Sequence, residues 1–129
     1  MDLLRKLLAA AIALRGLTNF GKPFGMGTGF VVLGRLRQGA ANTIAAPLFG
    51  LALLVYAYGL WHARPWARPI AVAYAVWATV NVVLFPLHEA LPPQLPHWTY
   101  ALFALPGIAG PWLAVWLLRV DQRRRVGLV

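Results

Sequence analysis

Apolar residues in this chain are gathered into long runs separated by short clusters of arginine, proline and histidine. Ala41 to Trp61 (ANTIAAPLFGLALLVYAYGLW) holds no ionisable side chain apart from its tyrosines. Ala67 to Leu87 holds one charge, Arg68 at its edge, and Trp98 to Leu118 holds none. Each run is close to the ~20 residues that a helix rising ~1.5 Å per residue needs to cross a ~30 Å hydrocarbon layer. Three such runs in succession predict transmembrane helices over 41–61, 67–87 and 98–118. Trp61, Trp66, Trp98 and Tyr100 fall at the predicted ends, where amphipathic rings settle at a membrane interface.

Composition agrees with lipid as the solvent. Hydrophobic residues make up 60% of the 129 and charged residues 12%, and the mean hydropathy is +0.66. Soluble domains carry about 25% charged and 45–50% apolar residues. The expected class is therefore all-α: one integral membrane helical bundle over residues 1–129, with three transmembrane helices and an N-terminal fourth.

That fourth element rests on residues 3–20. Arg5-Lys6 followed by LLAAAIAL resembles a secretory signal, and Ala11-Ile12-Ala13 offers a small-residue cleavage pattern. The segment is read here as a retained helix that spans or lies at the interface. Charge decides between the two. The link 86–97 (PLHEALPPQLPH) has no Lys or Arg and is placed outside; the Arg64–Arg68 turn and the Arg119–Arg125 tail then fall inside. If 3–20 spans, Arg5 and Lys6 join them, leaving Lys22, Arg35 and Arg37 outside; otherwise the cations divide evenly. The positive-inside rule favours four spans with both termini cytoplasmic, in a bacterial inner membrane. Arg15 is the penalty, at about 2.5–3.5 kcal/mol for a central arginine, eased by snorkelling toward the outer end.

Residues 21–40 (GKPFGMGTGFVVLGRLRQGA) are too few in apolar length to cross, and are expected to be interfacial or re-entrant. Gly25, Gly27 and Gly29 suggest a phosphate cradle, but no GxGxxG or P-loop pattern accompanies them. Gly21, Gly25 and Gly29 repeat every four residues, which suits close helix approach; Pro23 equally suits a turn.

Candidate chemistry is sparse. Leu105-Pro-Gly-Ile-Ala-Gly-Pro111 places Pro106, Gly107, Gly110 and Pro111 in mid-span, where a break or kink frees backbone groups that transporters use. Pro47 reads as a first-turn or kinking proline. Asn81 and Thr79 are the strongest polar side chains within the 67–87 run and form a polar seam or substrate contact, which Tyr56, Tyr58 and Tyr74 can join. Arg64, Trp66 and Arg68 suit anionic head groups. His88, Glu89 and His97 share one link and are the only grouping suited to a divalent metal, at a spacing that matches no ligand motif, so no metal is assigned. A haem held between helices would need facing imidazoles, yet His62 lies at the opposite edge from His88 and His97.

With no serine, no cysteine and three carboxylates, of which Glu89 and Asp121 are placed on opposite faces, the chain is read as not an enzyme and without cofactor. The net charge of +9 sits in interhelical clusters and is assigned to lipid, not nucleic acid.

The stretch GTGFVVLGRL…ANTIAAPLFGLALLVYAYGLW…RPWARPIAVAYAVW…NVVLF resembles small, uncharacterised polytopic membrane proteins of GC-rich bacteria. The resemblance covers the middle two-thirds of the chain, is one of hydrophobic pattern, and implies no activity. The function expected is that of a non-catalytic accessory or structural subunit packing against membrane partners or its own copies, with Trp77, Trp112 and Trp116 as in-membrane rings. The alternative is a small oligomeric transporter or channel using the 106–111 break and Asn81.

Overall fold

The structure, a computed structural model, describes residues 1–25, 29–89, 93–94 and 96–127, and at residue 41 the backbone alone. Four helices run up and down: α1 (Asp2–Phe20), α2 (Ala46–Trp61), α3 (Ala67–His88) and α4 (His97–Arg125). A single π-turn over Ala41–Ala45 leads into α2, with Pro47 in the first helical turn, where a missing N–H costs nothing. Three helical stretches, Asn42–Trp61, Ala67–His88 and His97–Arg125, are long and apolar enough to cross a membrane. With Arg5, Lys6 and Arg15 in its 19 residues, α1 is not among them.

One end of the bundle carries both termini and the α2–α3 turn, and it is closed. Arg5, Ala9, Ile12, Gly16 and Asn19 are the buried positions of α1. Their alternating four- and three-residue spacing draws one straight seam down the helix. The seam lies along α2, and toward the opposite end the two backbones cross at a pair of glycines. A Cβ on Gly16 would stand 2.9 Å from the Gly50 carbonyl oxygen, and one on Gly50 would stand 2.6 Å from that of Gly16. Any larger residue there would force α1 and α2 apart.

Alanines do the same for α3. Ala67, Ala71 and Ala75 are fully buried one turn apart, and Ala114, Leu117 and Leu118 of α4 complete the core with Leu53, Tyr56, Ala57 and Leu60 of α2. Across this end Arg5 is held between Asp2 and Asp121, Lys6 reaches Asp2 at 2.9 Å, and Gln122 Nε2 donates to the Pro65 carbonyl at 3.4 Å. The Lys6 hydrogen bond holds the Asp2 carboxyl below the ordinary carboxylate range.

At the opposite end the 21–40 segment departs from an all-helical reading. After a 3-10 turn at Lys22–Phe24, strands β1 (Phe30–Val32) and β2 (Arg35–Arg37) pair antiparallel, Val32 opposite Arg35. Leu33 and Gly34, at φ 49° and 76°, form the two-residue turn that right-twisted strands favour. The Gly21, Gly25, Gly29 spacing is thus no helix contact: Gly21 and Gly25 flank the 3-10 turn, Gly29 enters β1, and Gly27 lies outside the described residues.

The helix break expected at 106–111 is not an interruption either. α4 continues as one helix through Pro106 and Pro111. In α3, Pro86 removes the N–H that the Val82 carbonyl would meet four residues on. The Tyr100 hydroxyl donates to that carbonyl at 2.6 Å, tying α4 to α3 where the ladder is cut.

Candidate functional site

The helices associate as two pairs, α1 with α2 and α3 with α4, and contacts between the pairs are few. Between them, on the hairpin side of the buried core, lies a cavity of about 780 Å³. Lining residues come from every helix and from the hairpin. α1 contributes Ile12, Arg15, Thr18 and Asn19; Lys22 follows at its end. The hairpin and α2 add Phe30 and Phe49, α3 adds Tyr74, Trp77 and Asn81, and α4 adds Phe103, Pro106, Gly107, Gly110 and Pro111.

Aromatic packing builds the back wall. The Phe30 ring sits 5.4 Å from Phe49 and 6.5 Å from Trp77, and Phe49 lies 6.0 Å from Trp77 and 6.3 Å from Tyr74. Tyr74 continues to Tyr56 at 5.8 Å. These edge-on, stacked and tilted contacts suit ring quadrupoles, and they seat the hairpin on the bundle through Phe30.

Asn81 holds the hairpin from the other side. Its Nδ2 donates to the Trp77 carbonyl at 2.8 Å, and its Oδ1 accepts from the Gly34 N–H at 3.1 Å. Gly34 can come this close only without a side chain, since a Cβ there would stand 2.4 Å from the Leu84 carbonyl carbon. Glu89 accepts from the Leu36 N–H at 2.8 Å. The strongest polar residue of the 67–87 run therefore acts on backbone, and what it orients is the cover of the cavity.

Polar charge in the cavity is of one sign. Arg15 and Lys22 line it together. Lys22 Nζ donates to the Gly29 carbonyl at 3.2 Å and lies 5.6 Å from the Phe30 ring centre. Burial, and after it the Arg15 guanidinium, pulls the Lys22 ammonium below the ordinary lysine range. The three acidic residues of the chain lie elsewhere: Asp2 and Asp121 on Arg5, Glu89 on the hairpin backbone.

The remaining sequence-predicted residues divide. Pro106, Gly107, Gly110 and Pro111 meet Asn81 around the cavity. Thr79 stands apart from it, donating to the Ala75 carbonyl at 2.7 Å and accepting from Trp112 Nε1 at 3.0 Å, on the α3–α4 contact. Arg64 and Trp66 are exposed in the α2–α3 turn with Arg68 half-buried beside them, far from the cavity. His88 and His97 are exposed, and among the described residues no group of three His, Cys, Asp or Glu gathers at metal-binding distance. His62 is at the closed end, its Nδ1 3.0 Å from the Tyr58 carbonyl.

Sequence reasoning missed Lys22, Phe30 and Phe49 as site residues and treated Arg15 only as an insertion cost. Two cations seven residues apart, one within an apolar run and one just past it, were the available signal. Compared with family models, curated proteins and solved structures, the chain matches none.

Proposed function

We propose that this chain is a non-catalytic multi-pass membrane protein that holds a ligand in the cavity between its two helix pairs. The cavity carries the reading. Its volume of about 780 Å³ falls within the ~300–1,000 Å³ usual for small-molecule sites, and rings with a few convergent polar groups are the usual lining. Pro111 also brings no N–H to the Gly107 carbonyl, which leaves an acceptor on a cavity-lining residue.

In this reading α1 is a fourth span, because it lies along α2 and its N-terminus meets the end of α4. Eight of the twelve cations, all but Arg15, Lys22, Arg35 and Arg37, lie at the end with the termini. That end is then cytoplasmic, in a bacterial inner membrane. The exposed Arg64-Pro-Trp-Ala-Arg68 turn there is the contact proposed for anionic head groups.

An accessory-subunit role draws on exposed α4 residues such as Leu102, Trp112 and Trp116. Lipid covers such a face as well as a partner helix does, so the cavity discriminates better. Conduction fits less well than holding, because the buried core of Leu60, Ala71 and Leu118 lies between the cavity and the closed end.

The test is direct. The chain is purified in mild detergent and weighed intact by native mass spectrometry, with extraction of whatever travels with it. A bound molecule at one per chain is expected, and it is expected to be lost in Gly110→Phe, since space around Gly110 admits a side chain. A chain that carries nothing, or a folded Gly110→Phe that keeps its passenger, defeats the reading.

A further inference from the structure

We propose that the ligand of this cavity is a lipid-like anion, with a phosphate or carboxylate head between Arg15 and Lys22 and an apolar chain along the α4 wall. The inference rests on the cavity being a ligand site and assigns the chemistry of its occupant.

Charge supplies the first argument. Arg15 and Lys22 face one space, and every acidic side chain of the protein is engaged elsewhere: two at the far end on Arg5 and one on the hairpin backbone. Lys22 is half-buried and repelled by the exposed Arg15, and an oxyanion between the two cations relieves that repulsion. A guanidinium offers a planar fork and an ammonium a compact point charge, a pairing suited to phosphate or carboxylate oxygens.

Shape supplies the second. Beside the two cations the lining is largely apolar, with Ile12 and Trp77 and, along α4, Phe103, Pro106 and Pro111. A small inorganic anion would leave this surface uncovered, whereas an alkyl chain would fill it.

Access supplies the third. α1 and α4 share few contacts, and the one polar link between them, Arg5 to Asp121, is at the closed end. Arg15 and Thr18 of α1 and Phe103 of α4 line the cavity and are exposed, which puts its opening between these helices. In a bundle spanning the bilayer this opening faces acyl chains, and an amphiphile enters sideways without leaving the lipid.

The inference is tested by calorimetric titration of the full chain in neutral maltoside detergent. Probes are dodecyl phosphate, dodecanoate, dodecanol and inorganic phosphate. Saturable binding of dodecyl phosphate or dodecanoate at one per chain is expected. Inorganic phosphate is expected to bind at least a hundredfold more weakly. Arg15→Gln and Lys22→Gln should each weaken the alkyl anion tenfold or more, while Arg123→Gln/Arg124→Gln, exposed at the far end of α4, should leave it unchanged. A melting curve on each variant confirms that it is folded.

Equal affinity for dodecanol and dodecyl phosphate, lost together in Gly110→Phe, would overturn the anionic head and leave the cavity as a ligand site. Tight inorganic phosphate would overturn the lipid-like chain. Loss of binding in the Arg123/Arg124 variant and not in the Arg15 or Lys22 variants would move the anion to the other end and overturn the assignment. No saturable binding of any probe would overturn this inference together with the reading beneath it.

Discussion

The two ends of this bundle are assembled from different materials. At the end with the termini, alanines let the helices close on one another. Ala67, Ala71 and Ala75 vanish into the core, and an ion cluster of Asp2, Arg5 and Asp121 joins the first helix to the last. At the other end α1 and α2 still meet at Gly16 and Gly50, but aromatic rings stand between the helix pairs, and a β-hairpin is held on the bundle by Phe30, the Asn81 amide and the Glu89 carboxylate. In lipid, where apolar surface is already solvated, close packing and hydrogen bonds are the main forces left to join helices. The closed end uses packing, so it has no room. The hairpin end uses discrete polar and aromatic contacts, which leave space between them. The difference teaches that the cavity lies where the buried alanine seam of α3 ends at Ala75 and aromatic rings stand between the helix pairs.

This contrast can be broken at either end. The largest effect is expected for Asp121→Ala, which leaves the buried Arg5 with only the exposed Asp2. Removing one partner of a buried ion pair costs about 3–5 kcal/mol, and Asp2 keeps the loss near the lower figure. Thermal unfolding in detergent reads it, and the apolar double replacement Arg5→Met/Asp121→Leu should recover most of the melting temperature. An unchanged midpoint in Asp121→Ala would mean that the ion cluster does not close this end.

A smaller, local effect is expected for Gly34→Ala. The residue sits at φ 76° with the Leu84 backbone where its Cβ would go, a conflict of about 1–3 kcal/mol. Amide exchange should accelerate in 30–37 and stay slow in α1 and α2 near the termini. Unchanged protection of the strands would show that the hairpin is not seated by this contact.

The smallest effect is expected for Tyr56→Phe. The hydroxyl is buried with no hydrogen-bond partner among the described residues. Its removal should cost nothing and return about 1 kcal/mol, the lower end of the penalty for an unmet polar group. A lower melting temperature would reveal a partner and make the foot of the aromatic ladder polar.

The helices were largely legible in advance because run length is a local property. Segments 3–20, 67–87 and 98–118 correspond to the helices Asp2–Phe20, Ala67–His88 and His97–Arg125, of which the last two are long and apolar enough to cross a membrane. The last runs on into Arg123–Arg125, where cations complement the negative end of the helix dipole. Before α2, the run from Ala41 opens as a π-turn. The hairpin also had a local signal, Phe-Val-Val, then Leu-Gly, then Arg-Leu-Arg, with β-branched residues, a glycine turn and alternation. Measuring 21–40 only against membrane thickness concealed it.

What the sequence determined by itself is that three segments are too apolar for water and that cations cluster between them, since hydropathy and charge are read one residue at a time. What only the tertiary structure decided is which distant residues meet: Gly16 with Gly50, Arg5 with Asp121, Asn81 with Gly34, and Arg15 with Lys22 around one cavity. Helices alike in polarity give no sequence signal for their neighbours. In a bundle of this composition partner choice rests on a few small residues and single hydrogen bonds, whose meaning appears only once the backbones are placed.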